Sequence, residues 1–143
     1  MSVAIPTELR SRVFERDQGR CAYCQTPEEL TVTTFEIDHI VPTSAGGATQ
    51  RNNLCLTCPA CNRYKGARQS GPDPETGESA PLYHPRRQEW SEHFAWSTGS
   101  LQIEGRTSTG RATVAALHMN RPQALRLRGV WAKIGYLPWS ELV

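Results

Sequence analysis

The chain has 143 residues, 38% of them hydrophobic and 21% charged, with a formal net charge of +2. That is enough for one domain, or one compact domain with an extension, and it excludes disordered, fibrous and strongly polyionic classes. No stretch approaches the roughly 18–20 consecutive apolar residues that span a bilayer. Met1 to Arg20 carries recurring charges in place of an apolar leader core, so a cytoplasmic protein with no membrane partner is expected.

In chain order, residues 5–18 predict a helix, because Ile5, Leu9 and Val13 recur at a spacing of four and Gly19 sits where a helix stops. Cys21-Ala-Tyr-Cys24 and a Pro27-Glu28-Glu29 turn follow. Residues 30–41 hold Val32, Thr33, Thr34, Phe35, Ile37, Ile40 and Val41, a β-branched and aromatic run that predicts a strand ending at Pro42. Ser44-Ala45-Gly46-Gly47 reads as a loop, and Asn62 to Ala67 as a short helix with Pro59 near its first turn. Residues 69–81, rich in Gly, Pro, Ser and acidic side chains, read as a linker. Beyond it, Trp90, Phe94 and Trp96, then Ser97-Thr98-Gly99-Ser100, then Leu101 and Ile103, predict a hairpin. A helix over about 110–119, capped by Thr109, is broken at Asn120-Arg121-Pro122. A second helix runs to about Ile134, with Leu127, Val130, Trp131 and Ile134 on one face.

Five cysteines in a chain without a secretory leader argue against a disulfide framework. Cys21-x2-Cys24 and Cys58-x2-Cys61 are two knuckles with 33 residues between them. Each lets two thiolates converge on one ion, and two pairs make the tetrahedral sulfur set that zinc prefers. A closed set of this kind is structural: it clips a segment too short to hold its own core. Cys55 is left over and reads as a small buried residue.

Between the knuckles stand Glu36-Ile37-Asp38-His39-Ile40-Val41-Pro42, the Gly46-Gly47 loop and Asn52-Asn53-Leu54; Cys61-Asn62-Arg63-Tyr64-Lys65-Gly66 follows. Over about residues 9–68 this resembles the HNH endonuclease family, in its zinc-stabilised branch. The resemblance implies a small ββα-metal core of residues 1–68 clipped by the four-cysteine zinc; with the C-terminal hairpin and helices that the patterning predicts over 82–143, the expected fold class is α+β. It also implies DNA as partner and hydrolysis of phosphodiester bonds, leaving a 5′-phosphate and a 3′-hydroxyl. His39 would be the general base, and Asn53 would hold the metal-site loop and so orient His39. Asp38 and Asn62 would ligate the catalytic metal. The family's name-giving third position is His, and Asn62 departs from it.

The residue chemistry bears on the same reading. An imidazole is a good base for water near neutral pH, and a carboxylate beside it can hold a hard divalent ion such as Mg²⁺. An amide oxygen at Asn62 favours Mg²⁺ or Mn²⁺ over softer ions. Adjacent strand residues face opposite ways, so the strand must end or bend if Asp38 and His39 serve one site. Asn62 and Lys65 would share a helix face, and Lys65 with Arg63 and Arg68 suits phosphate contacts. Duller readings stand beside these: a strand-end cap for Asp38, a packed histidine for His39, a turn residue for Asn53, and a solvated face for Arg63, Lys65 and Arg68.

The basic side chains are fourteen arginines and two lysines. Arginine's planar fork suits phosphate, although a GC-rich genome would give the same bias. Arg86-Arg87 and the Arg121, Arg126, Arg128 group either extend the DNA footprint or form an exposed face. His84, His93 and His118 read as surface or core. A zinc-containing nucleic-acid-binding module without cleavage is the rival function, but such a module has no need of Asp38, His39, Asn53 and Asn62 together. A protein partner or a homodimer is left open.

Overall fold

The structure is a computed structural model that describes residues 4–97, 99 and 101–136. Thr98 and Ser100 of the expected turn, and the tail 137–143, lie outside the described residues. The chain divides into two compact units, one of Met1–Gln69 with His84–Gln88, the other of Ser70–Tyr83 with Glu89–Val143.

In the first unit, α1 spans Thr7–Arg16, entered by Pro6 with Glu8 in its first turn and Arg16 in its last, both favourable to the helix dipole. It ends where Gln18 and Gly19 turn left-handed, at φ 58° and 66°. Ile5, Val13 and Leu54 form one buried cluster of this unit, with Leu9 and Ile37 packed against it, and Tyr23, Phe35, Ile40 and Leu56 are buried as well. Leu54 comes from β2 (Leu54–Thr57), which pairs antiparallel with β1 (Glu36–His39) in the register Glu36↔Thr57 to His39↔Leu54. Polar clamps fix α1 to β2. The Arg16 guanidinium donates to the Arg51 and Leu54 carbonyls, and Asp17 Oδ2 accepts the Leu56 N–H at 2.7 Å.

The expected strand over 30–41 is corrected to Glu36–His39. A ladder is only as long as its shorter partner, and β2 offers four residues. Upstream, a 3-10 turn at Glu28–Leu30 takes over, and Glu28 Oε2 accepts the Phe35 N–H at 2.9 Å. Val32 is fully exposed. The helix expected at 62–67 is α2, Pro59–Lys65, with Pro59 in its first turn, where its missing N–H is no loss.

The second unit corrects the expected linker. Residues 69–81 contain a hairpin, β3 (Ser70–Pro72) with β4 (Ser79–Pro81), closed by the Asp73 N–H to Glu78 carbonyl bond at 2.8 Å. Small and polar side chains hide it from a hydrophobicity reading. What holds it is the buried Asp73 carboxylate, gripped by both arms of Arg111 at 2.9 and 2.8 Å, which hold its carboxyl down at about 2. A short helix α3 (Trp90–His93) leads into β5 (Phe94–Trp96), paired with β6 (Ile103–Gly105). α4 (Ser108–Ala116) follows, and its cap is Thr107, two residues before the expected Thr109, accepting the Gly110 N–H at 3.0 Å.

α5 spans Pro122–Lys133, but its buried residues are Ala124, Arg128 and Trp131. Val130 and Ile134, expected on the buried face, are 51% and 65% exposed. Arg128 is the reason: 1% exposed, it donates to the Met119 and Leu101 carbonyls at 2.7 and 3.2 Å and stacks over Trp96. Its place in a basic DNA-facing cluster is therefore withdrawn. Among the described residues, no helix is long and apolar enough to cross a membrane.

Candidate active site

The two knuckles meet. Cys21, Cys24, Cys58 and Cys61 are all buried, and their sulfur atoms lie within 4.8 Å of one another. Cys24 and Cys58 Sγ are 3.8 Å apart, which is the edge of a tetrahedron built on metal–sulfur bonds of about 2.3 Å. Thiol hydrogen bonds from Cys21, Cys58 and Cys61 hold Cys24 well below the usual thiol range, and Cys58 is lowered too, whereas burial pushes the Cys21 thiol well up and Cys61 is raised as well. The first knuckle is shaped by the Gln25 N–H to Cys21 carbonyl bond, with Gln25 left-handed at φ 67°. The second sits at the start of α2, where Cys58 Sγ accepts the Cys61 N–H. The four cysteines thus form a candidate zinc site. Cys55 is buried apart from it, and burial pushes its thiol far up, as for an inert core cysteine.

β1 carries the titratable residues. Glu36 and Asp38, two apart, share one face of the strand, and α2 packs there: Asn62 Nδ2 donates to Glu36, and one turn later Lys65 Nζ meets Asp38 Oδ2 at 3.0 Å. Asp38 Oδ2 also accepts the Tyr23 hydroxyl at 3.0 Å. Burial pushes the Asp38 carboxyl up from its usual range, against the opposing pull of Lys65 and Tyr23. Oxygen donors from Glu36, Asp38 and Asn62 along one strand–helix seam are the donor chemistry of a hard divalent ion.

His39 is half-buried at the strand's end, and its Nε2 hydrogen-bonds Thr49 Oγ1 at 2.9 Å. The loop between is pinned by Asn53: its Oδ1 accepts the Val41 N–H at 2.9 Å, and its Nδ2 donates to the Val41 and Ala48 carbonyls at 3.0 Å each. Gly47 is required in that loop, since a Cβ there would lie 1.8 Å from the Val41 carbonyl oxygen. Asn53→Ala removes the partner of the half-buried Val41 N–H and carbonyl, each costing up to about 1–3 kcal/mol when unmet. A loss of about 2–4 kcal/mol is expected by urea unfolding; an unchanged midpoint would deny Asn53 that role.

The site residues read from the sequence fall out unevenly. Asp38 and Asn62 lie on one strand–helix seam, each with a partner of its own, Lys65 and Glu36. Arg63 and Arg68 are exposed, as a phosphate contact must be. Lys65 differs from its expected place on a solvated phosphate-facing helix face: it is 2% exposed, bonded to Asp38 and, at 3.3 Å, to the His39 carbonyl. Glu36, Tyr23 and Thr49 were not singled out. Alternation along β1 was a signal for Glu36; for Tyr23 and Thr49 no local pattern existed.

Residues 21–68 match the family described as HNH endonuclease. Fifty-eight residues, 40% of this chain, are 41% identical to 5% of a CRISPR-associated endonuclease Cas9 from Corynebacterium diphtheriae. Two longer matches reach past that segment. A Septu protein PtuB from Bacillus mycoides is 25% identical over 80% of this chain and 48% of its own length. Another from Bacillus thuringiensis is 24% identical over 79% of this chain and 41% of its own. The chain spans about half, or less, of the curated relatives it matches. With the paired knuckles, the Asp38-His39 strand end and the Asn53 loop in that segment, residues 21–68 carry an HNH endonuclease domain.

Proposed function

We propose that this chain is a metal-dependent endonuclease that hydrolyses phosphodiester bonds in DNA, with His39 as general base. The observation that carries the reading is the hold on His39. Thr49 takes Nε2, so with the proton on that nitrogen Nδ1 keeps its lone pair for a proton from water. Asn53 fixes the loop that bears Thr49, and Lys65 fixes the His39 carbonyl. The imidazole thereby meets the positional demand on a base. The Cas9 relative is itself an endonuclease, which supports the same class.

Asp38 and Asn62 would hold one divalent ion, Mg²⁺ or Mn²⁺, with Glu36 on the same strand face. When bound, the ion supplies positive charge for the developing phosphorane and the leaving oxygen. The chain's own work is to bind the backbone, orient the water and move its proton. Arg63 and Arg68 would meet neighbouring phosphates, contacts that position without reading sequence. Lys65 acts from beneath, keeping Asp38 and the His39 backbone in place. Zinc in the four-cysteine site would be structural, since all four positions are filled by sulfur.

The test is the product. Incubation with supercoiled plasmid and Mg²⁺ or Mn²⁺ should give nicks that DNA ligase reseals directly, as 5′-phosphate and 3′-hydroxyl ends allow. Nicks that ligase cannot close would contradict the proposed cleavage chemistry.

A further inference from the structure

The segment His84–Gln88 lies outside the family-matched residues, yet it belongs to the first unit. There, Arg86 and Arg87 line a cleft of about 360 Å³ together with Gly46, Gly47, Asn52 and Asn53. No acidic residue lines it. Its wall is the loop that Asn53 pins and that carries Thr49, the partner of His39.

The two arginines are held differently. Arg86 is half-buried, and its Nη2 meets Asp17 Oδ1 at 3.2 Å, which anchors the side chain to the end of α1. Its Nε is buried with no hydrogen-bond partner among the described residues. His84 Nδ1 accepts the Arg86 N–H at 3.2 Å, and its Nε2 is likewise buried and unmet. Arg87, also in the lining, is exposed. Gly46 and Gly47 put backbone on that wall, and Gly46 is left-handed at φ 88°. Two guanidinium groups, an exposed Asn52 amide and a floor of glycine are the chemistry of a phosphodiester site.

Resting on the nuclease reading, we propose that this cleft is a phosphate subsite that seats a backbone phosphate of the bound DNA strand beside the one cleaved. Arg86, anchored on Asp17, and the exposed Arg87 supply its donors. Because the cleft shares its loop with Thr49, a phosphate seated there sets the strand's register against His39.

The experiment uses the full chain carrying His39→Ala, so that bound DNA is not consumed, with a labelled duplex and fluorescence anisotropy across a salt series. Adding Arg87→Ala should weaken binding about three- to tenfold and lower the log–log salt slope by about 1. Adding Lys133→Ala, an exposed cation at the end of α5, should leave both unchanged. Equal affinity for parent and Arg87→Ala would overturn the subsite while leaving the nuclease reading intact. An equal loss in Lys133→Ala would also overturn it, showing only diffuse charge. A parent that binds no duplex at any salt, with a wild-type chain that cuts none, would sink the nuclease reading and the subsite with it. Arg87→Lys keeps the charge and loses the fork, so its slope should match the parent while part of the affinity is lost.

Discussion

Replacing His39 with alanine should slow DNA cleavage by ~10²-fold or more while leaving the fold in place. The size follows from the role: a positioned general base contributes about 10²–10⁴-fold. The separation of activity from stability follows from the packing. His39 is half-buried, and its ring's hydrogen bond is to the Thr49 hydroxyl, so truncation opens no sealed cavity. The backbone at 39 stays in the β1–β2 ladder opposite Leu54. Thr49→Val, which keeps shape and removes the hydroxyl, should act in the same direction more weakly, because it frees the ring without deleting it. Single-turnover cleavage rates, read beside thermal melting, check both. A His39→Ala chain as fast as wild type would remove the residue from that role.

Stripping the metal from the four-cysteine site should unfold the first unit. Its buried apolar side chains besides the cysteines are Ile5, Val13 and Leu54, packed with Leu9 and Ile37, together with Tyr23, Phe35, Ile40 and Leu56. That is a modest apolar area for a unit of this size, so the metal clip carries part of its stability. The cluster joins the Cys21–Cys24 knuckle to the start of α2, which in turn carries Asn62 and Lys65 onto β1. Structural zinc sites of this kind contribute folding energy outright, with apparent binding of about 10–16 kcal/mol near neutral pH. Four thiolates crowded without a cation would repel. Chelation, or Cys24→Ser, should therefore abolish the helical signal of α1 and α2 by circular dichroism, together with cleavage. Unchanged dichroism after verified removal of zinc would defeat the structural role.

The knuckles and the Asp38-His39 strand end were legible because each is a local pattern whose chemistry needs adjacent or near-adjacent residues. Lys65 was not. Whether a helix lysine meets solvent or a carboxylate depends on which face of α2 lies on β1, a fact of tertiary packing that spacing does not encode. Arg128 misled in the same way: a basic helix pattern does not announce a guanidinium buried among the Met119 and Leu101 carbonyls. The β3–β4 hairpin was hidden because its small and polar strands carry no apolar pattern, and the grip of Arg111 on the buried Asp73 is a long-range pair. Strand length in β1 failed because propensity over 30–41 says nothing of a partner only four residues long. The return of residues 84–88 to the first unit likewise had no sequence signal.

The central claim is that this chain cleaves DNA and does so through a bound divalent ion. Supercoiled plasmid incubated with the purified full chain, in Mg²⁺ or Mn²⁺ and in parallel with excess EDTA added only at the time of assay, tests it most directly. The account predicts nicked or linear plasmid in the metal arms and intact plasmid with EDTA. Plasmid that is bound but left intact in every arm would contradict it and favour a zinc-containing module that binds nucleic acid without cutting.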